Sequence, residues 1–123
     1  MATLSKLCLQ PAGTTGTGLA IKVAATATAG TAIHTASSTA TTIDEIWLYA
    51  INTSVSSVKL TIEWGQADAP DGNIEVTVLP EAGLVTVVPG FLLQGNASAK
   101  VVRAFAGTAN VICMHGFVNR ITA

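Results

Sequence analysis

Between Val58 and Trp64 apolar and polar residues alternate without a fault: Val58, Leu60, Ile62 and Trp64 fall on one side, Lys59, Thr61 and Glu63 on the other. A repeat of two marks a strand with one face on a core, because successive side chains leave the backbone in opposite directions. The run Ile74 to Val78 repeats the pattern, and the intervening Ala67-Asp68-Ala69-Pro70-Asp71-Gly72 is dense in turn formers. Together they predict a hairpin with a long, exposed tip. Nowhere does the chain sustain the i, i+3, i+4, i+7 apolar stripe of an amphipathic helix. Thr, Val, Ile and Gly are plentiful while Glu, Lys and Gln are thin, a vocabulary of strands and turns.

Other segments are apolar on both faces. Ile43, Trp47, Tyr49 and Ile51 share one side of a strand whose other side holds Ile46, Leu48 and Ala50, and the runs 84–88, 101–106 and 111–118 are similar. A strand with two apolar faces is buried on both. In a lone small sandwich one face of each sheet is wet, so the second face is expected to meet something else, most simply another subunit. Turn signals at Asn52-Thr53-Ser54, Pro80-Glu81-Ala82-Gly83, Pro89-Gly90, Gly95-Asn96 and Gly107-Thr108 punctuate the chain. They predict strands over 3–9, 19–26, 31–36, 43–52, 57–64, 73–79, 83–88, 91–94, 99–106 and 110–119. About eight to ten such strands suit an all-β fold, a jelly-roll-like antiparallel β-sandwich. Leu19, Ile21 and Val23 alternate with Ala20, Lys22 and Ala24, so a single sandwich domain is expected over 18–123. Residues 1–17 read either as an N-terminal arm that orders on a partner or as a first strand.

The chain carries six basic and seven acidic side chains in 123 residues, so 11% are charged where an ordinary soluble domain has about 25%. A folded monomer of this size exposes roughly 6,200 Å², or about one charge per 480 Å². Such a surface is either made of small neutral residues or covered by other protein. The net charge of −1 argues against a nucleic-acid binder and against a polybasic membrane-surface module. The longest uncharged stretch, Val23 to Ile43, is Ala, Thr, Ser and Gly around His34, without the Leu, Ile, Phe and Val density of a membrane span. The N-terminus lacks the compact apolar core of a secretory signal. Cys8 and Cys113 lie near opposite ends and read as small buried hydrophobes in a reducing compartment, with a tie between the termini as the alternative.

Residues that could carry chemistry do not assemble into a motif. Cys113 and His115 share a strand face but lie about 7 Å apart along it, too far for a Cys/His nucleophile pair. One Cys and one His are also too few for a zinc site, and His34 is expected to be structural. Asp44 and Glu45 are strand neighbours that point to opposite faces, which is wrong for paired acid and base work. Asp44 is expected to cap a turn or to pair with a Lys or Arg. Asp68 and Asp71 lack the alternating ligands of a calcium loop. Gly16-Thr17-Gly18 is a turn, since no helix pattern follows it. Asn52-Thr53-Ser54 and Asn96-Ala97-Ser98 match the glycosylation pattern, idle where no signal segment is read. No catalytic residue, cofactor or metal is expected, and the chain is not expected to be an enzyme. A cupin-like enzyme would need two or three His and a carboxylate converging on a metal. The sparse aromatics Trp47, Tyr49 and Trp64, with Phe105, His115 and Phe117, are the candidate core or interface anchors.

Four runs carry a resemblance across roughly residues 30–121: Ile33-His34-Thr35-Ala36, Ile43-Asp44-Glu45-Ile46-Trp47-Leu48-Tyr49-Ala50, Leu60-Thr61-Ile62-Glu63-Trp64-Gly65, and Ala109-Asn110-Val111-Ile112 with His115-Gly116-Phe117-Val118-Asn119-Arg120-Ile121. In these patterns of strand and turn the chain resembles the small virion structural proteins of tailed bacteriophages, of the capsid decoration or cement type. The resemblance implies a jelly-roll-like subunit that forms a homotrimer on the outer capsid and clamps neighbouring major capsid protein subunits. It implies a protein made in the host cytoplasm and located on the virion, with no nucleic-acid or membrane partner. No catalytic residues transfer, because the family has none. A cement protein stabilises by mass action, since it binds the assembled shell and not free capsid subunits. The alternative is a virion spike, head-fibre or tail component with a host glycan-binding role. Exposed aromatics in a groove would mark that alternative, and a flat face of aliphatic and Thr residues would mark cement. Lys59, Glu63, Glu75 and the Asp68/Asp71 loop are expected to face water, leaving plainer surfaces for sister subunits and a shell.

Overall fold

The computed structural model describes residues 2–122, in which nine strands form and no helix. They are β1 (Thr3–Cys8), β2 (Ile21–Lys22), β3 (Thr31–Thr35), β4 (Ile43–Asn52), β5 (Val58–Trp64), β6 (Asn73–Val78), β7 (Val85–Gln94), β8 (Val101–Ala106) and β9 (Ile112–Thr122). Every pairing is antiparallel. One sheet has the order β1-β9-β4-β7, with β2 also on β9, and the other has the order β3-β8-β5-β6. The chain is thus all-β, two antiparallel sheets that share one core. Its exposed area of 6370 Å² is close to the monomer expectation of about 6,200 Å².

The core is aliphatic. Ile46, Leu48 and Ala50 of β4 and Met114 and Val118 of β9 meet Leu60 and Ile62 of β5, Val102 and Ala104 of β8 and Ile33 of β3, all buried. Each Leu, Ile or Val hidden in this way contributes about 1.5–3 kcal/mol. The alternation read along Val58 to Trp64 therefore selects the inward side correctly: Val58, Leu60 and Ile62 are in the core, and Trp64 packs against its edge.

Three expected strands change, two by merging and one by shortening, while the strand expected over 3–9 forms. Residues 83–88 and 91–94 are parts of one strand, β7, running through Pro89-Gly90. Ile46 pairs with Phe91 and Trp47 with Pro89, so Gly90 is an extra residue opposite β4. Its φ of 78° suits glycine, and the pair forms a β-bulge in place of a turn. The strand expected over 19–26 shortens to Ile21–Lys22, because the Thr31 hydroxyl takes the amides of Ala24 and Ala25 and the Ala106 amide donates to Ala25 O. The chain there leaves β9 and crosses to the other sheet. Residues 3–8 form β1, an edge strand on β9 that is exposed along most of its length.

The turn after β4 is organised by Asn52. Its buried side-chain amide donates to Ser56 O and Val78 O at 2.8 and 2.9 Å, and its Oδ1 accepts from the Ser54 amide and hydroxyl. That uses its full hydrogen-bonding capacity. The amide nitrogen a glycan would need is therefore consumed inside the fold. Asn52→Ala leaves the Val78 carbonyl without this donor, and urea denaturation should show a loss of about 1–3 kcal/mol. Asn96, the other match to that pattern, is exposed.

Candidate functional site

The outer face of the five-stranded sheet follows from the register. Residues of β4 with odd numbers are half-buried and those with even numbers are buried, so the odd set points away from the core. Pairing then lays side chains in rows across the sheet. The first row is Leu4, Ile121, Ile43 and Gln94; the second is Lys6, Asn119, Glu45 and Leu92; the third is Cys8, Phe117, Trp47 and Pro89. His115, Tyr49 and Thr86 form the fourth, and Lys22, Cys113 and Ile51 the fifth. Lys6, Lys22 and Glu45 are the formal charges among them. Leu4, Leu92 and Ile121 are 69%, 54% and 38% exposed, large values for apolar side chains sharing one face.

The middle rows are tied together. Trp47 and Phe117 stack with ring centres 5.8 Å apart and planes 9° from parallel, and the Lys6 ammonium lies over Phe117 at 5.2 Å. The Trp47 indole N–H and the Asn119 amide both donate to Glu45 Oε1, at 2.9 and 2.8 Å. These bonds, the indole's first, hold the Glu45 carboxyl below its ordinary value. Two glycines make room: a Cβ on Gly90 would lie 2.7 Å from the indole Cζ2, and one on Gly116 would overlap the Trp47 carbonyl. The result is a tightly fixed centre for this face.

The opposite sheet presents a different exterior. Lys59 and Glu75 pair across exposed positions, and the hairpin tip with Asp68 and Asp71 is exposed, as expected. Glu63, expected to face water, is only 1% exposed. The segment between β2 and β3 lies over it, with Thr28 Oγ1 donating to Oε2 at 2.8 Å and the Gly30 amide to Oε1 at 2.7 Å. Arg103 closes the cover by donating to Gly30 O. This sheet thus covers part of its outer face with its own chain.

The six candidate anchors divide accordingly. Trp47, Tyr49, His115 and Phe117 come together on the outer face of the five-stranded sheet, half-buried. Phe105 lies on the outer face of the other sheet, opposite Thr61. Trp64 stands at the border of the sandwich, with its ring centre 5.2 Å from that of Phe91. None is part of the fully buried core, which Ile, Leu, Val, Ala and Met side chains fill. Cys8 is exposed and Cys113 half-buried, both free, which corrects the reading of two buried cysteines and the alternative of a tie between them.

A second polar feature lies inside. His34 and Asp44 are buried, and His34 Nε2 is 2.8 Å from Asp44 Oδ2. The Gln10 backbone N–H donates to His34 Nδ1, so the proton of the neutral ring sits on Nε2 and is given to Asp44. Arg120 donates from Nε and Nη2 to the two Asp44 oxygens at 2.7 and 2.9 Å. Burial alone would raise the Asp44 carboxyl, but hydrogen bonds from Arg120 and His34 and the Arg120 charge outweigh it and hold the group below its ordinary value. The same contact raises Arg120 further. Asp44 does pair with an Arg, as the sequence suggested. His34 and Asp44 are closed from solvent while the Arg120 side chain is 22% exposed, and together they brace β3, β4, β9 and the segment after β1. Among the described residues no group of three or more His, Cys, Asp or Glu side chains is arranged to hold a metal ion, and no helix is long and apolar enough to cross a membrane.

The chain matches no protein-family model, no curated protein and no solved structure.

Proposed function

We propose that this chain is a non-enzymatic virion structural protein, a decoration or cement subunit that trimerises on an outer capsid and stabilises contacts between major capsid subunits. The observation that carries the reading is the outer face of the five-stranded sheet. It sets the exposed Leu4, Leu92 and Ile121 beside a half-buried aromatic centre, with Lys6, Lys22 and Glu45 as its formal charges, while the opposite sheet hides part of its exterior under its own chain. Burying such a face is favourable by about 25 cal/mol per Å² before the costs of association. The strand order supports a jelly roll: with the two-residue β2 set aside, the first, eighth, third and sixth strands pair in one sheet and the second, seventh, fourth and fifth in the other.

The glycan-binding alternative draws less support. A sugar platform needs an open ring face beside free hydrogen-bonding groups. Here Trp47 and Phe117 cover one another, Lys6 covers Phe117, and the Glu45 oxygen nearest the rings already accepts two bonds.

Native mass spectrometry at micromolar concentration is expected to show a trimer, and a stable monomer would remove the oligomer from the reading. Shells lacking the protein should assemble but break at a lower temperature than decorated ones. Unchanged shell stability would overturn the cement role. Replacing Leu4 and Leu92 together with Lys should abolish trimerisation or shell binding. It should move the melting temperature of the isolated subunit little, since both side chains are more than half exposed.

A further inference from the structure

His34 is a buried titratable group that the proposed function does not use, and its two ring nitrogens have different duties. Nε2–H donates to Asp44, while Nδ1 accepts the Gln10 amide at 3.1 Å. Gln10 begins a short segment fastened to β3 at three points: this amide, the Thr35 amide donating to Gln10 O at 2.9 Å, and the Thr35 hydroxyl donating to Pro11 O at 3.0 Å. Beyond it lies β1, which is held by β9 and exposed along most of its length.

We propose that His34 is an acid-sensitive latch for the segment that follows β1. A proton arriving at Nδ1 converts the acceptor into a donor, so two N–H groups would then face one another at hydrogen-bond distance. The Leu9–Gln10 peptide must turn or withdraw, and residues 9–13 lose the first of their three fastenings. The charged groups facing the ring are Asp44 from β4, which favours the imidazolium, and Arg120 from β9, which opposes it while holding Asp44. On its own sheet the neighbour is Val102 of β8, and the segment after β1 offers only the backbone amide. Asp44 can keep the Nε2 bond in both states, so the change is confined to the Nδ1 side. Acid therefore loosens the N-terminal segment while the sheets remain paired.

Imidazole nitrogen NMR and amide hydrogen exchange on the whole chain across pH 8 to 5 test this together. The expected result is a neutral Nε2–H ring at high pH that becomes doubly protonated on acidification. In step with it, exchange at Gln10, normalised for the chemical rate at each pH, should rise at least about fivefold, the equivalent of one hydrogen bond. Amides in β4 and β9 should stay protected. His34→Gln, whose amide does not titrate, should abolish the pH dependence. If that variant does not fold, the wild-type data alone decide. Ring protonation without a change at Gln10, or a change at Gln10 while the ring stays neutral, would overturn the latch.

Discussion

Arg120→Met is expected to destabilise the protein by about 3–5 kcal/mol at neutral pH, because it leaves the Asp44 carboxylate buried without its cationic partner. Domains of this kind hold about 5–15 kcal/mol in total, so the variant should stand near the limit of folding. The effect should also depend on pH. In the wild type the folded carboxyl lies below its ordinary 3.8, so its contribution is complete above that value and is lost as pH falls through the folded one. Without Arg120 the strongest bond lowering the group is gone while burial still raises it. Folding should then no longer depend on keeping Asp44 ionised, and the gap between variant and wild type should narrow as pH falls below 3.8. Urea denaturation at several pH values measures both quantities. A gap that stays constant across pH would show that Arg120 acts through packing of its stem and not through Asp44.

Gly116→Ala should be at least as damaging. Gly116 pairs with Leu48 between the two central strands of the five-stranded sheet, and an added Cβ would overlap the Trp47 carbonyl. The obstacle is backbone of the neighbouring strand, so no side-chain rotation relieves it. Either β4 and β9 part or the strand distorts, at a cost of about 3 kcal/mol or more. Circular dichroism melting should show a large fall or an unfolded product. Gly107 is the control, because the nearest atom to its added Cβ is 3.9 Å away. Gly107→Ala should change stability by no more than about 0.5 kcal/mol. A mild Gly116→Ala would mean that the β4–β9 spacing is not limiting.

Much of the fold is written in the local alternation. The hairpin of β5 and β6, the inward set Val58, Leu60 and Ile62 and the division of β4 into two faces can be read directly, because side-chain direction in a strand depends only on residue parity; both faces of β4 are apolar, and only the completed sheets turn Ile46 and Leu48 inward. The candidate site was half legible. Tyr49, Trp47, His115 and Phe117 were singled out, and their odd numbers already placed each pair on one side of its strand. Their union on one face needed the pairing of Trp47 with Phe117 and Tyr49 with His115, residues 70 and 66 positions apart.

What the sequence determined by itself is the element type and which side chains share a face of each strand, since both follow from period-two spacing along a few residues. The tertiary structure decided the rest. Pro89-Gly90 could have ended a strand, and it became a bulge because β4 continues opposite it. Glu63 could have met water, and it was buried because residues 28–30 fold back over β5 with two donors. Asp44 could have paired with any cation, and it found Arg120 because β4 and β9 run side by side. In each case the deciding partner is distant in sequence, and only the completed sheets bring it within hydrogen-bond or van der Waals reach.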